Sequence, residues 1–152
     1  MFGPAGILSG IDMRDAAPRF SGKTIDGGRF DNQSLQGQVV LIQFWTTWCP
    51  VCRRDQEAVD NLVNDFAGKG LVVLAVNVGE ARKKVRRYLE DSPRSCRIVL
   101  TEDTNLSAVF AARSYPLYVL IDRDGKLATT QTGSGGEASL RRMLEKAGLR
   151  AD

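Results

Sequence analysis

Histidine is missing altogether from this chain of 152 residues. Its absence excludes Ser-His and Cys-His nucleophile systems, together with zinc or copper sites that need an imidazole ligand. Cysteine is scarce too, and three residues in a chain of this length do not build a disulfide scaffold. No apolar run approaches the roughly 20 residues of a membrane-spanning helix, so we expect no stable membrane insertion by this chain. The N-terminal residues also lack the basic region followed by a sustained apolar region that is typical of an intact signal peptide.

The rest of the composition is that of an ordinary globular protein. Hydrophobic residues make up 43% of the chain and charged residues 26%. The 21 basic and 18 acidic residues leave a net charge of +3, which is too small a surplus to predict nucleic-acid binding. We expect a flexible lead-in over residues 1–16, one monomeric domain over residues 17–150, and no cofactor.

Two apolar runs predict buried central strands, VVLIQFW at 39–45 and LVVLAVNV at 71–78. An Asp26-Gly27 turn between short runs predicts an N-terminal β-hairpin. The other predicted elements follow in chain order: a helix from the cysteine pair to Gly68, a basic helix at 81–91, a strand at 97–100, a helix at 104–113, a hairpin at 117–131 and a helix at 137–146. This order predicts a three-layer α/β/α fold with a central mixed sheet.

The stretch WTTWCPVCRRDQE contains the feature on which function depends, a Cys-x-x-Cys pair at Cys49 and Cys52. A zinc site needs four ligands, and Cys96 is the only further thiol in a chain without histidine. A purely structural disulfide is also disfavoured, because so short a loop constrains the unfolded chain little. The pair therefore favours redox chemistry.

The predicted position of the pair supports that interpretation. Cys49 lies where a buried strand ends and a helix begins, Pro50 suits the first helical position, and Cys52 follows one turn later. Free N–H groups and the positive end of the helix dipole stabilise a thiolate there. We expect Cys49 to be the attacking nucleophile and Cys52 the resolving thiol.

The stretch FWTTWCPVCR resembles the active site of the thioredoxin superfamily, and within it the bacterial TlpA/ResA/CcmG (DsbE) group of extracytoplasmic thiol-disulfide oxidoreductases. The resemblance extends over about residues 17–147, through an Ala17-Pro18 start, the Asp26-Gly27 turn and YPLYVLID. It implies a thioredoxin fold, exchange with protein thiols and disulfides, an upstream electron donor or acceptor protein, and an extracytoplasmic location such as the bacterial periplasm. By analogy it also suggests a place in cytochrome c biogenesis or general redox homeostasis.

The resemblance also implies a substrate groove around the cysteine pair. Pro116 becomes the candidate cis-proline facing the cysteines, since cis peptide bonds are almost always X-Pro. Tyr115 precedes it, where relatives usually carry a smaller residue such as Thr or Val. The predicted substrate-binding residues are Trp48, Pro50, Val51, Tyr115 and Pro116.

The resolving cysteine needs a base. Thioredoxins proper place an aspartate six residues before the first cysteine, where this chain has Gln43, which cannot accept a proton. The TlpA/ResA-like group has a glutamate three residues after the second cysteine, and this chain has Asp55 there. Asp55 is the predicted base, one helical turn from Cys52; the alternative is an acid that merely suits the first turns of a helix.

Two other functions compete with dithiol-disulfide exchange. Thr46, three residues before Cys49, suggests a peroxiredoxin-like peroxidase, although Ile42 stands where that family has proline. A non-catalytic thioredoxin-like binding or metal-carrier module is the other alternative. Cys96 is expected to be a buried small hydrophobic residue. The direction of electron flow stays open at this point.

Overall fold

The computed structural model describes residues 13–133 and 135–150, and most of its strands form one mixed sheet. The first two strands, β1 (Ser21–Lys23) and β2 (Arg29–Asp31), pair with each other in the predicted N-terminal hairpin. The strands of the main sheet are β3 (Val39–Trp45), β4 (Leu71–Asn77), β5 (Arg97–Leu100), β6 (Leu117–Ile121) and β7 (Leu127–Thr132). Their order is β5-β4-β3-β6-β7. Strands β3, β4 and β5 run parallel to one another, β6 runs antiparallel to β3, and β7 runs antiparallel to β6. The predicted thioredoxin fold is confirmed.

Within residues 13–133 and 135–150, four α-helices connect and cover these strands: α1 (Pro50–Asp65), α2 (Arg82–Asp91), α3 (Leu106–Val109) and α4 (Glu137–Glu145). The helix predicted over residues 104–113 is wrong in length. A 3-10 turn at Thr101–Asp103 precedes it, and the chain leaves the helix at Ala111, whose φ is +49°. Thr104 does not join it either, since its hydroxyl donates to the Ser21 carbonyl of β1.

Every residue of β3 is buried, because both faces of the central strand are covered. Successive side chains alternate between the faces. Val40, Ile42 and Phe44 pack on the face covered by α3 and the hairpin. Val39 and Leu41 pack on the opposite face against α1 and α4.

The β3-α1-β4 and β4-α2-β5 connections both join parallel neighbouring strands. Both connections step towards the same edge of the sheet. Because such crossovers are right-handed, α1 and α2 lie on the same face of the sheet. The cluster formed by Trp45, Ala75 and Val85 agrees, since it joins side chains of β3, β4 and α2. The cysteine pair lies just beyond the carboxyl end of β3, at the first turn of α1.

The predicted lead-in falls largely on residues 1–12, outside the described residues. Just after them, Arg14 donates its N–H to the Leu127 carbonyl and Ala17 donates to the Gly125 carbonyl. The domain limits of 17–150 stay a prediction. Across residues 13–133 and 135–150, no helix combines the length and apolar character that crossing a membrane requires.

Candidate active site

Cys49 and Cys52 form a disulfide at the N-terminus of α1. Cys49 is the N-cap residue, with extended backbone angles (φ −84°, ψ 110°), and Pro50 is the first helical residue. The Cys49 sulfur accepts a hydrogen bond from the Cys52 N–H at 3.1 Å. An N–H donor and the helix dipole both favour negative charge on that sulfur when the bond opens. Cys49 and Cys52 are 4% and 3% exposed, so little of either residue reaches solvent.

The surface beside the disulfide is aromatic. Trp48 is 64% exposed, unlike Trp45, which is buried in the core. The Trp48 and Tyr115 rings meet edge to face, with centroids 6.3 Å apart. The Tyr115-Pro116 peptide bond is cis, and the Tyr115 carbonyl oxygen lies 3.6 Å from the Cys49 sulfur. Three of the predicted substrate-binding residues thus lie together around Cys49, with Pro50 exposed and Val51 half-buried on the first turn of α1.

Asp55 is 4% exposed and belongs to the buried stripe of α1, with Cys52 one turn before it and Val59 one turn after. Its Oδ2 accepts a hydrogen bond from the Tyr118 hydroxyl at 2.6 Å. The phenol oxygen in turn accepts from Gln43 Nε2 at 2.9 Å. Burial raises the pKa of Tyr118 well above its usual value, and the hydrogen bond to Asp55 raises that pKa further. The phenol therefore remains a donor throughout the physiological range.

Arg94 approaches the same region from the loop between α2 and β5. Its guanidinium lies over the Trp45 ring, 5.1 Å from the centroid, in a cation–π contact. Its Nε and Nη2 are buried and make no hydrogen bond within the described part of the chain. The half-buried Arg94 thus holds a positive charge against the Trp45 ring, close enough to Tyr118 to act on it electrostatically.

Glu80 fixes the loop that precedes Cys49 from the opposite side. Its carboxylate accepts from the Thr47 N–H at 2.8 Å, from the Thr47 hydroxyl at 2.6 Å and from Asn77 Nδ2 at 2.7 Å. Lys84 pairs with it at 3.0 Å. Burial acts to raise the pKa of Glu80, but the hydrogen bonds from Thr47 and Asn77 outweigh it and hold the pKa below its ordinary value. The carboxylate thereby ties the end of β4 to the active-site loop.

The family model described as Redoxin matches residues 13–144, which is most of the chain. This chain belongs to the Redoxin family. Among curated relatives, the thioredoxin-like protein YneN of Bacillus subtilis is 30% identical over 90% of this chain and 81% of its own length. The thiol-disulfide oxidoreductase ResA of B. subtilis is 28% identical over 91% of this chain and 75% of its own.

Solved structures of two other proteins share this fold. A thiol:disulfide interchange protein of the thioredoxin family from Chlorobium tepidum has a TM-score of 0.78 and 25% identity, covering 90% of this chain and 97% of that one. StoA from Bacillus subtilis has a TM-score of 0.71 and 20% identity, covering 84% and 97%. The predicted resemblance to the ResA and DsbE group is confirmed.

Three residues of this Redoxin site were not found from the sequence: Glu80, Arg94 and Tyr118. The sequence gives only a weak indication of Glu80, which is an acidic residue three positions after Asn77, where a buried strand ends. Tyr118 looked like an ordinary apolar strand residue. Only the pairing of β6 with β3, which sets Tyr118 opposite Gln43, brings its hydroxyl to Asp55.

The Cys96 side chain packs against the core clusters on the α1 face. Burial raises the pKa of its thiol, so it is a poor nucleophile at neutral pH. Cys96 itself is half-buried and forms no disulfide. These features favour the expected packing role.

Replacing Glu80 with glutamine is expected to lower the free energy of unfolding by about 1–3 kcal/mol at neutral pH, since a single amide oxygen cannot serve three donors. Because the folded-state pKa is lowered, the stabilisation by Glu80 is fully present above the ordinary value of 4.5 and is lost as pH falls through the lower folded value. Urea denaturation of both proteins at about pH 7 and about pH 3 checks this. The exposed Glu57 on α1 provides the control substitution Glu57→Gln. A deficit of equal size at both pH values would contradict the assignment.

Proposed function

We propose that this chain is a thiol-disulfide oxidoreductase that exchanges with protein thiols and disulfides through the Cys49-Cys52 pair. The observation that carries the proposal is the disulfide at the N-terminus of α1, with the Cys49 sulfur next to the Tyr115 carbonyl and the exposed Trp48. Family membership and the named activity of ResA support the same reaction class.

In the proposed reaction, the Cys49 thiolate attacks one sulfur of a substrate disulfide. A Cys49-substrate disulfide forms, and the other substrate sulfur leaves as a thiolate. Cys52 then gives its proton to the Asp55 carboxylate and attacks the Cys49 sulfur, releasing the second substrate thiolate. Two electrons pass from the dithiol to the substrate, and the reverse sequence oxidises a substrate dithiol. The i, i+3 placement of Cys52 and Asp55 on the buried stripe of α1 supports this pairing.

We further propose that the substrate lies across Trp48, Pro50, Val51, Tyr115 and Pro116. An extended substrate segment next to the Tyr115 backbone would place its sulfur near Cys49. The Trp48 and Tyr115 rings offer it an apolar edge, and the large Tyr115 side chain narrows the groove relative to a threonine or valine.

The wider setting is also a proposal, and it rests on the ResA-like relatives. We place the protein outside the cytoplasm, as a monomer that receives or passes electrons through an upstream redox protein, with cytochrome c biogenesis as one pathway of this type.

A thiol peroxidase is the second candidate. Thr46 lies three residues before Cys49, and its buried Oγ1 has no hydrogen-bond partner among the residues that the structure describes. Against this reaction, Cys49 is already bonded to a cysteine only three positions away.

Parallel assays separate the candidates. We expect catalysis of insulin-disulfide reduction by dithiothreitol, and peroxide consumption no faster than that of free cysteine. Peroxide turnover without insulin reduction would favour the peroxidase. Inactivity in both assays would favour a non-catalytic binding or metal-carrier module, which metal stoichiometry would then test.

A further inference from the structure

A polar chain of three buried side chains crosses the interface between the sheet and α1. Gln43 on β3 and Tyr118 on β6 are direct partners in the antiparallel pairing, so their side chains stand side by side on the same face. Asp55 reaches them from α1. All three are at most 4% exposed, in a region where most neighbours are apolar.

The two hydrogen bonds among Gln43, Tyr118 and Asp55 run in one direction. Gln43 Nε2 has only hydrogens to offer, so the phenol oxygen accepts from it at 2.9 Å. The phenol hydrogen is then left for Asp55 Oδ2, 2.6 Å away. The opposite direction would point that hydrogen at Gln43 and leave two oxygens in contact unless Asp55 carried a proton. The arrangement therefore directs the phenol hydrogen at Asp55 Oδ2 and fixes where that oxygen lies.

We propose that Tyr118 is a positioning residue for the resolving step, holding the Asp55 carboxylate on the side of α1 where Cys52 lies. The inference rests on the function proposed above and adds to it the group that orients the base. Asp55 has several rotamers open to it on a helix, and holding it in one of them costs conformational entropy that a contact must offset. The hydroxyl of Tyr118 provides that contact, and Gln43 fixes the hydroxyl.

Other titratable groups also face this site. Cys52 shares α1 with Asp55, Arg94 acts electrostatically on Tyr118 from the loop before β5, and the Cys96 thiol packs nearby. The neighbouring side chains from β4 and α4 are apolar: Val73, Leu140, Met143 and Leu144. Among the described residues, Tyr118 is thus the hydroxyl that reaches the Asp55 carboxylate from the sheet.

The test follows the two exchange steps separately with oxidised glutathione. Attack by Cys49 on glutathione disulfide forms a protein-glutathione adduct and releases one glutathione; attack by Cys52 closes the protein disulfide and releases the second. Acid quenching and mass spectrometry measure the adduct with time. For Tyr118→Phe we expect normal adduct formation but an adduct lifetime about tenfold longer near neutral pH, with the difference shrinking as alkaline pH ionises Cys52 directly.

The matched control is Tyr88→Phe. Tyr88 also donates its hydroxyl to α1, but to the amide oxygen of Gln56, the residue after Asp55. We expect its adduct lifetime to equal that of the wild type. Because Tyr118 acts through Asp55, the double variant Tyr118→Phe/Asp55→Asn should be no slower than Asp55→Asn alone.

Two results would overturn the inference alone: an active wild type whose adduct lifetime and pH profile are unchanged by Tyr118→Phe, or effects of the two substitutions that multiply. A wild type that forms no adduct and no disulfide with glutathione would overturn the proposed function as well. If Tyr118→Phe does not fold, as judged by circular dichroism, Gln43→Met decides instead. It leaves the phenol in place without its donor and should lengthen the adduct lifetime roughly threefold; an unchanged lifetime would count against the inference.

Discussion

Replacing Cys49 with serine is expected to abolish disulfide exchange, with a loss on the order of 10³-fold or more in the rate of insulin reduction. A serine hydroxyl does not ionise near neutral pH and cannot form a mixed disulfide. The N-cap position makes serine a favourable structural replacement, so the loss should not come from unfolding. Cys96→Ser is the control and should retain full activity, because Cys96 lies outside the disulfide.

The partner substitution Cys52→Ala should behave differently. Cys49 can still attack, but nothing resolves the product, so the variant should accumulate a mixed disulfide that dithiothreitol releases. Capture of substrates by this variant, followed by mass spectrometry, also identifies the redox partner and hence the direction of electron flow. Equal trapping by Cys49→Ser would contradict the assignment of the nucleophile.

The fold was largely predictable because its strongest signals are local. β3 and β4 are apolar runs apart from Gln43 and Asn77, and a parallel pair buried on both faces requires largely apolar runs. The helix near Leu106 was less predictable. Its end depends on Ala111 adopting a positive φ and on the hydrogen bond from Thr104 to β1, which joins residues 83 positions apart. Helical periodicity does not contain that information.

The candidate site divides in the same way. Cys49, Cys52 and Asp55 are neighbours on one helix, so their spacing is visible in the sequence. Glu80 and Tyr118 reach the site only through tertiary structure, from the end of β4 and from β6. Neither the pairing register of distant strands nor the partner of a buried carboxylate follows from local pattern.

The buried glutamine also has a clearer role in the structure than the sequence suggested. Gln43 cannot act as a base. From the sequence it was notable only because thioredoxins have an aspartate at this position. In the fold it donates to Tyr118, which donates to Asp55. In the proposed mechanism the acid is thus on α1 rather than on the central strand, and the strand contributes a neutral polar group that hydrogen-bonds to the partner of that acid.

Replacing Asp55 with asparagine is expected to slow the resolving step by about 10²-fold near neutral pH, while leaving attack by Cys49 intact. Asparagine has nearly the same shape and can still accept from Tyr118, but it cannot take the proton from Cys52. The defect should shrink above the ordinary thiol pKa of about 8.5, where hydroxide ionises Cys52 without help. Stopped-flow oxidation by glutathione disulfide across pH measures this. Asp60→Asn is the matched control on α1, since its carboxylate accepts from the Ser95 N–H at the far side of the helix. An Asp55→Asn profile parallel to that of the wild type would leave Asp55 as a structural acid of the helix, because a base that matters must change how the rate depends on pH.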